Sequence, residues 1–160
     1  MEDTHEAYLN IGSNIDPERN LRESIRLLRE HGQVKAVSNV WQSHAFGSDG
    51  PDFLNACLLF LTPLDASVLK EQIIRPIEAA LGRVRGPDKY APRTIDIDII
   101  LFDDEPFGWE FWSNAFVVVP LADLLPNFHH PFSYEKLAHV ANHMRRQTWI
   151  EARPDVLSNM

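Results

Sequence analysis

A chain of 160 residues with a formal net charge of −8 repels polyanions, which excludes a general nucleic-acid binder. Hydrophobic residues at 44% and charged residues at 24% are the proportions of one soluble globule, expected to span 1–160 as a single domain with a real core. One cysteine, Cys57, excludes an intrachain disulfide and fits a reducing, cytoplasmic setting; the acidic opening stretch lacks a signal region, and no apolar run approaches the ~18 residues that span a bilayer.

The first predicted element is a short apolar strand over 7–11, ending in the turn residues Gly12, Ser13 and Asn14. Asp16 is placed to cap a helix that has Pro17 at its first position, the apolar stripe Leu21, Ile25 and Leu28, and Gly32 as its stop. Residues 34–41 have strand character, and a loop follows over 43–51. The run 52–61 is almost continuously apolar, as in a central strand buried on both faces. Asn55 interrupts it. A buried amide must find partners, either in the backbone or on the edge of a bound heterocycle. Asp65 begins a second helix with Leu69, Ile73, Ile77 and Leu81 in line; Pro76 should kink it, and Glu78 falls off the stripe, as a solvated helix charge would.

Gly82 then opens a basic loop with Arg83, Arg85, Lys89 and Arg93, broken by Gly86, Pro87 and Pro92. It feeds a strand over 94–102 that alternates strictly. Ile95, Ile97, Ile99 and Leu101 face one way; Asp96, Asp98, Ile100 and Phe102 face the other. Side chains two apart on a strand share a face at about 6.5–7 Å. Two such carboxylates repel each other and need cations. Either the loop arginines pair with them, or the carboxylates hold Mg²⁺ while the arginines grip phosphate oxygens. Beyond an acidic turn at 103–106 and an aromatic segment at 107–112, a strand is predicted over 115–119, closed by Pro120, and a short helix over 121–125. Ser133 is placed to cap a last helix through residue 144, with Leu137, Val140 and Met144 inward, and the tail 145–160 reads as irregular. His139 and His143 stand i, i+4, but no Glu follows His139 as zinc-protease chemistry needs, so they read as surface residues; His129 and His130 read as loop.

The order β-α-β-β-α-β is the split βαβ pattern. It predicts an α+β, ferredoxin-like fold, a largely antiparallel sheet with helices on its faces.

The run GRVRGPDKYAPRTIDIDI from Gly82 to Ile99 resembles the signature of the 6-hydroxymethyl-7,8-dihydropterin pyrophosphokinase family. The stretches AYLNIGSN from Ala7 and PDFLNA from Pro51 extend the resemblance. It implies Mg²⁺-dependent transfer of pyrophosphate from ATP to the pterin hydroxymethyl group in folate biosynthesis, with release of AMP. It further implies that Asp96 and Asp98 bind two Mg²⁺ ions, and that Arg83, Arg93, Asp96 and Asp98 form the catalytic set. Glu78, Arg85, Arg93 and Ile99 fall on the ATP side. Ser43, Phe46, Phe53, Asn55, Tyr90, Asp96 and Phe116 fall on the pterin side, with Phe53 and Phe116 as aromatic walls and Tyr90 as a lid. The partners implied are ATP and pterin, acting on a monomer with no nucleic acid and no membrane.

The chain departs from the family pattern in two places. The segment after the fourth strand is short and lacks the family P-H-x-x-[ML], and Asn114 stands where the family has Arg. Ser43, His44, Ala45, Phe46 and Gly47 replace a proline-rich stretch. Three readings follow: an active pyrophosphokinase, a diverged pterin-binding relative with lost activity or an altered phosphate donor, and a ferredoxin-like interaction module whose aspartates are only salt-bridged.

Overall fold

The computed structural model describes residues 4–45, 49–84, 86–88, 92–158 and 160. The fold is organised around β1 (His5–Ser13), which pairs antiparallel with β4 (Phe53–Thr62) on one side and β5 (Asp96–Phe102) on the other. Beyond β4 lie β2 (Gln33–Val37) and β3 (Trp41–Ser43); beyond β5 lies the two-residue β6 (Glu105–Pro106). A last strand, β7 (Ile150–Ala152), joins the edge of β3. The described residues thus form a seven-stranded antiparallel sheet in the order β6-β5-β1-β4-β3-β7, with β2 also on β4.

Alternation along β1 sorts the core into two faces. Ala7, Leu9 and Ile11 pack with Leu21, Ile25 and Leu28 of α1 (Pro17–Arg29) and with Leu69, Ile74 and Ile77 of the second helical run. Tyr8 packs on the opposite face with Val117, Val118 and Leu121 of α4 (Ala115–Leu124) and with Leu137 and Ala141 of α5 (Leu137–Gln147). Helices therefore cover both faces, and β4, buried from Leu54 to Phe60, is the central strand its composition predicts. Cys57 lies within it, and burial pushes its thiol pKa well up, leaving an inert core residue. Among the described residues no helix is long and apolar enough to cross a membrane.

Several elements differ from the predicted ones. Asp16 precedes α1 in a left-handed conformation at φ 45°, and its side chain caps nothing; the Asn20 amide closes this end instead, donating to the Ile15 carbonyl at 2.6 Å. The strand predicted over 34–41 is two strands. Between them Ser38 turns its hydroxyl onto the Cys57 N–H at 2.8 Å, so a side chain does the work of a ladder carbonyl. Asp65 does cap, accepting the Val68 N–H at 3.0 Å. The helix it starts runs as α2 (Ala66–Leu69), one widened π turn (Lys70–Ile74) and α3 (Arg75–Ala80). Pro76 has no N–H and its ring would strike the preceding turn, so the extra residue just upstream opens the helix around it.

The strict alternation of β5 is also broken. A register shift opposite Tyr8 and Leu9 inserts an extra residue, so Leu101 joins Ile100 in the α4 core while Phe102 packs on the α1 side. The strand predicted over 115–119 and the helix over 121–125 are one helix, α4. Its residues Val117 to Ala122 are all buried, so no period is visible in the sequence, and three valines in a row imitate a strand. Pro120 sits inside it. The Phe116 carbonyl, which residue 120 would normally serve, instead accepts from Asn10 Nδ2 at 3.0 Å.

The last helix starts at Leu137, not Ser133, whose hydroxyl accepts the Glu135 N–H at 3.4 Å. The preceding loop is pinned by His130. Its Nδ1 accepts the N–H groups of Phe132 and Ser133 at 3.1 and 3.3 Å, so Nε2 carries the proton and donates to the Trp112 carbonyl at 2.7 Å. His130 is a structural residue rather than a ligand. The tail, expected to be irregular, supplies β7.

Candidate active site

The sheet places the site at the end of the α4 face. Cross-strand partners share a face, and the register sets two rows across three strands. Asp96 lies opposite Gly12, and Gly12 opposite Asn55; Asp98 lies opposite Asn10, and Asn10 opposite Cys57. A Cβ on Gly12 would sit 2.5 Å from Asn55 Nδ2, so the glycine of the G-S-N turn is there to let the Asn55 amide lie over the strand.

Asp96 is clamped by both loop arginines. Arg83 Nε donates to one carboxylate oxygen at 3.0 Å and Arg93 Nη1 to the other at 2.6 Å. Asp98 accepts no hydrogen bond among the described residues. Burial above all, then the charges of Asp96 and Glu78, push it up to about 7, against the pull of Arg93 and Lys70.

Glu78 is not a solvated helix charge. It is 3% exposed and accepts the Ile97 N–H at 2.9 Å. Among the described residues β5 has no strand on its outer side at that point, and the carboxylate takes the place of a ladder acceptor. Burial is also the main cause raising the Glu78 pKa, with the Ile97 N–H opposing it.

Gly12, Arg93, Asp96 and Asp98 line a cavity of about 360 Å³ whose walls include Phe53, Phe111 and Phe116. Asn55 reaches into it, and its Oδ1 is buried with no donor among the described residues. Such an oxygen is costly to desolvate unless a ligand N–H meets it. Ser43 and His44 also line it. His44 Nδ1 is 3.0 Å from Asp52, and its ring stacks on Trp149 at 4.5 Å between centroids. The hydrogen bonds from His44 and Gln42 hold Asp52 below the usual carboxylate range.

Of the residues singled out in the sequence, Ser43, Phe53, Asn55, Arg93, Asp96, Asp98 and Phe116 line this one cavity. Phe116 does so from the first turn of α4 rather than from a strand. Arg83 reaches it through Asp96. Glu78 and Ile99 stand off the lining, Ile99 packed against the α1 core. Phe46, Arg85 and Tyr90 lie outside the described residues. Asn114 lines the cavity at the start of α4, its amide turned onto the Glu110 carbonyl at 3.3 Å.

Sequence reasoning missed Asn14, Asn10 and Trp149. Asn14 ends the G-S-N turn and ties the site together. Its N–H donates to the Arg93 carbonyl at 3.1 Å, its Oδ1 accepts the Arg93 N–H at 2.6 Å, and its Nδ2 donates to the Pro51 carbonyl at 3.3 Å. The signal was present in the turn itself, which is common enough alone to say little.

Chemically, one end of the cavity offers paired carboxylates with arginines, suited to a hard cation and phosphate oxygens. The other offers aromatic walls and an unmet amide acceptor, suited to a flat nitrogen heterocycle.

Comparison with known proteins agrees. The family profile for 7,8-dihydro-6-hydroxymethylpterin-pyrophosphokinase (HPPK) matches residues 8–126. The 2-amino-4-hydroxy-6-hydroxymethyldihydropteridine pyrophosphokinase of Bacillus subtilis is 35% identical over 74% of this chain and 77% of its own. The Synechocystis protein of the same name is 31% identical over 81% and 71%. Among solved structures, Plasmodium falciparum HPPK-DHPS with pteroate superposes with a TM-score of 0.68 at 12% identity, covering 92% of this chain. This chain spans 43% of that one, and the likeness concerns the fold. The matched span holds every part of the acidic pair, its arginines and the aromatic walls, and on that basis the chain belongs to the 7,8-dihydro-6-hydroxymethylpterin-pyrophosphokinase family, a family of pyrophosphokinases.

Proposed function

We propose that this pyrophosphokinase transfers the pyrophosphoryl group of ATP to the hydroxymethyl group of 6-hydroxymethyl-7,8-dihydropterin, releasing AMP. The observation that carries this reading is the joining, in one cavity, of the arginine-flanked pair Asp96 and Asp98 to the donorless Oδ1 of Asn55. The strand order, with β5, β1 and β4 central and β2 and β3 outside, supports a ferredoxin-like description. We read the protein as a cytoplasmic monomer.

Transfer of this kind is positioning and charge neutralisation more than covalent chemistry by the protein. The donor set fits Mg²⁺. Asp96 and Asp98 are hard oxygen ligands, and no cluster of three or more ligating side chains exists among the described residues. Such a pair leaves positions for phosphate oxygens, as Mg²⁺ requires. Asp96 and Asp98 would hold two Mg²⁺ ions, whose charge would offset that of the phosphates and favour ionisation of the hydroxymethyl group. Arg83 and Arg93 now neutralise Asp96. With ATP present they are placed to turn to its phosphates, whose roughly four negative charges they help to balance. Arg85, Glu78 and Ile99 belong to the ATP side of this scheme. Phe53 and Phe116 bracket the pterin ring, Asn55 reads its edge, and Ser43, Phe46 and Tyr90 complete its surround.

The test is AMP release from ATP and Mg²⁺, with and without the pterin, for wild type and Asp98→Ala. Pterin-dependent AMP that disappears in the variant is expected. A second reading rests on Asn114. Its amide is neutral where the family carries a cation, so a relative with an altered donor would bind pterin and release no AMP from ATP. Neither AMP nor pterin binding would overturn both and leave the interaction module.

A further inference from the structure

Asn10 is a cavity residue to which the reaction above gives no part. Its side chain is 4% exposed and lines the cavity from β1, directly opposite Asp98. Nδ2 donates to the Phe116 carbonyl at 3.0 Å. Pro120, four residues on in α4, has no N–H to give that carbonyl. Only the nitrogen of an amide can meet a carbonyl, so the orientation of Asn10 is fixed by chemistry. Its Oδ1 is the end left over, and it accepts from no donor among the described residues.

The Asn55 Oδ1 likewise has no donor among the described residues, and it is fully buried. Asn55 pairs with Gly12, two residues beyond Asn10 on β1, so the two amides stand on one face as diagonal neighbours about 7–8 Å apart along the backbone. Buried amide oxygens without donors are sustained in native structures when a ligand or water completes them. Two amide oxygens without a protein donor, on the lining of one cavity with aromatic walls, match a planar heterocycle that carries more than one N–H.

We propose that Asn10 is a further pterin-binding residue, its Oδ1 accepting one N–H of the heterocycle while Asn55 accepts another. This rests on the pterin reading given above. Asn10 then has two tasks: it donates to the Phe116 carbonyl, to which Pro120 has no N–H to give, and so helps hold the Phe116 wall, and it reads the substrate. A carboxylate at position 10 could do neither task well, since it cannot donate to Phe116 and would crowd Asp98.

The experiment separates the two tasks. Binding of 6-hydroxymethyl-7,8-dihydropterin, with and without a non-hydrolysable ATP analogue and Mg²⁺, is measured by calorimetry. The proteins are wild type, Asn10→Ala, Pro120→Ala and the double variant, each also followed by thermal unfolding. The N–H regained at position 120 closes the α4 ladder onto Phe116. The double variant should therefore recover the thermal stability lost in Asn10→Ala and still bind pterin about three- to tenfold more weakly than wild type, with nucleotide affinity within about twofold. Wild-type pterin affinity in the double variant would overturn the proposal and leave Asn10 a support for Phe116 alone. A loss confined to the nucleotide would overturn it equally. Wild type that binds no pterin would instead sink the function proposed above, and this inference with it.

Discussion

Asn14 holds the backbone of Arg93 from both sides. Its own N–H donates to the Arg93 carbonyl at 3.1 Å, while its Oδ1 accepts the Arg93 N–H at 2.6 Å. The last residue of the first turn in the chain therefore sets where the basic loop enters β5, and so where the Arg93 guanidinium meets Asp96. Asn14→Ala keeps the backbone bond and removes the side-chain one. An amide left unpaired there costs about 1–3 kcal/mol, and a guanidinium displaced by even ~1 Å lowers catalysis steeply. The expected result is a lowered urea midpoint with a roughly tenfold or greater fall in kcat/KM for ATP. A lowered midpoint with unchanged kinetics would show that Arg93 is placed by something else.

With Asp98 a Mg²⁺ ligand as proposed, stability and metal binding should depend on pH in opposite senses. Its folded pKa, about 7, lies above the ordinary carboxylate value of 3.8. Between those values the folded state holds a proton that the unfolded state gives up, so the metal-free protein loses stability as pH rises through that window. Mg²⁺ needs the ionised form and should bind more tightly over the same rise, levelling off above about pH 7. Thermal unfolding in chelator between about pH 5 and pH 8 checks the first part. Asp98→Asn should flatten the slope; an unchanged slope would assign it to another group.

Glu78 tests the same electrostatics from behind β5. Glu78→Gln keeps an oxygen for the Ile97 N–H and removes a charge that helps raise Asp98. The variant should retain most of its stability, and the pH midpoint for Mg²⁺ binding should move down. Glu78→Ala leaves the Ile97 N–H unpaired and should cost about 1–3 kcal/mol. Equal stability of the two variants would mean that the Ile97 bond contributes nothing.

Glu78 also shows where the sequence stops being informative. Local pattern showed the strand carrying Asp96 and Asp98 and the buried strand carrying Asn55, because each has a strong period or an apolar run. Glu78 falls off a helical stripe, and nothing local says that β5 lacks an outer neighbour at Ile97 and needs a carboxylate there. Val117 to Val119 read as strand because a helix buried on all sides has no period. Pro120 reinforced that reading, and its missing N–H is made good by Asn10, more than a hundred residues earlier in the chain. Such long-range substitutions of one hydrogen-bond partner for another leave no mark at short range.

The tail is the clearest instance, and it leads to a last expectation. Residues after α5 have mixed composition, yet Ile150 pairs with the cavity residue Ser43 and Trp149 stacks on His44. Asp52, next to the Phe53 wall, holds the same histidine at 3.0 Å, so the ring is fixed from two directions. Trp149→Ala removes one of them. An aromatic pair of this kind contributes about 0.5–1.5 kcal/mol beyond its buried area. The strand pairing of Ile150 is through the backbone and should survive. The variant should therefore stay folded by circular dichroism and bind the pterin a few-fold more weakly, with affinity for the ATP analogue unchanged, since the phosphate end lies across the sheet at β5. Equal weakening of both ligands would mean that Trp149 supports the sheet edge as a whole. No change in either would mean that Asp52 alone suffices to hold His44.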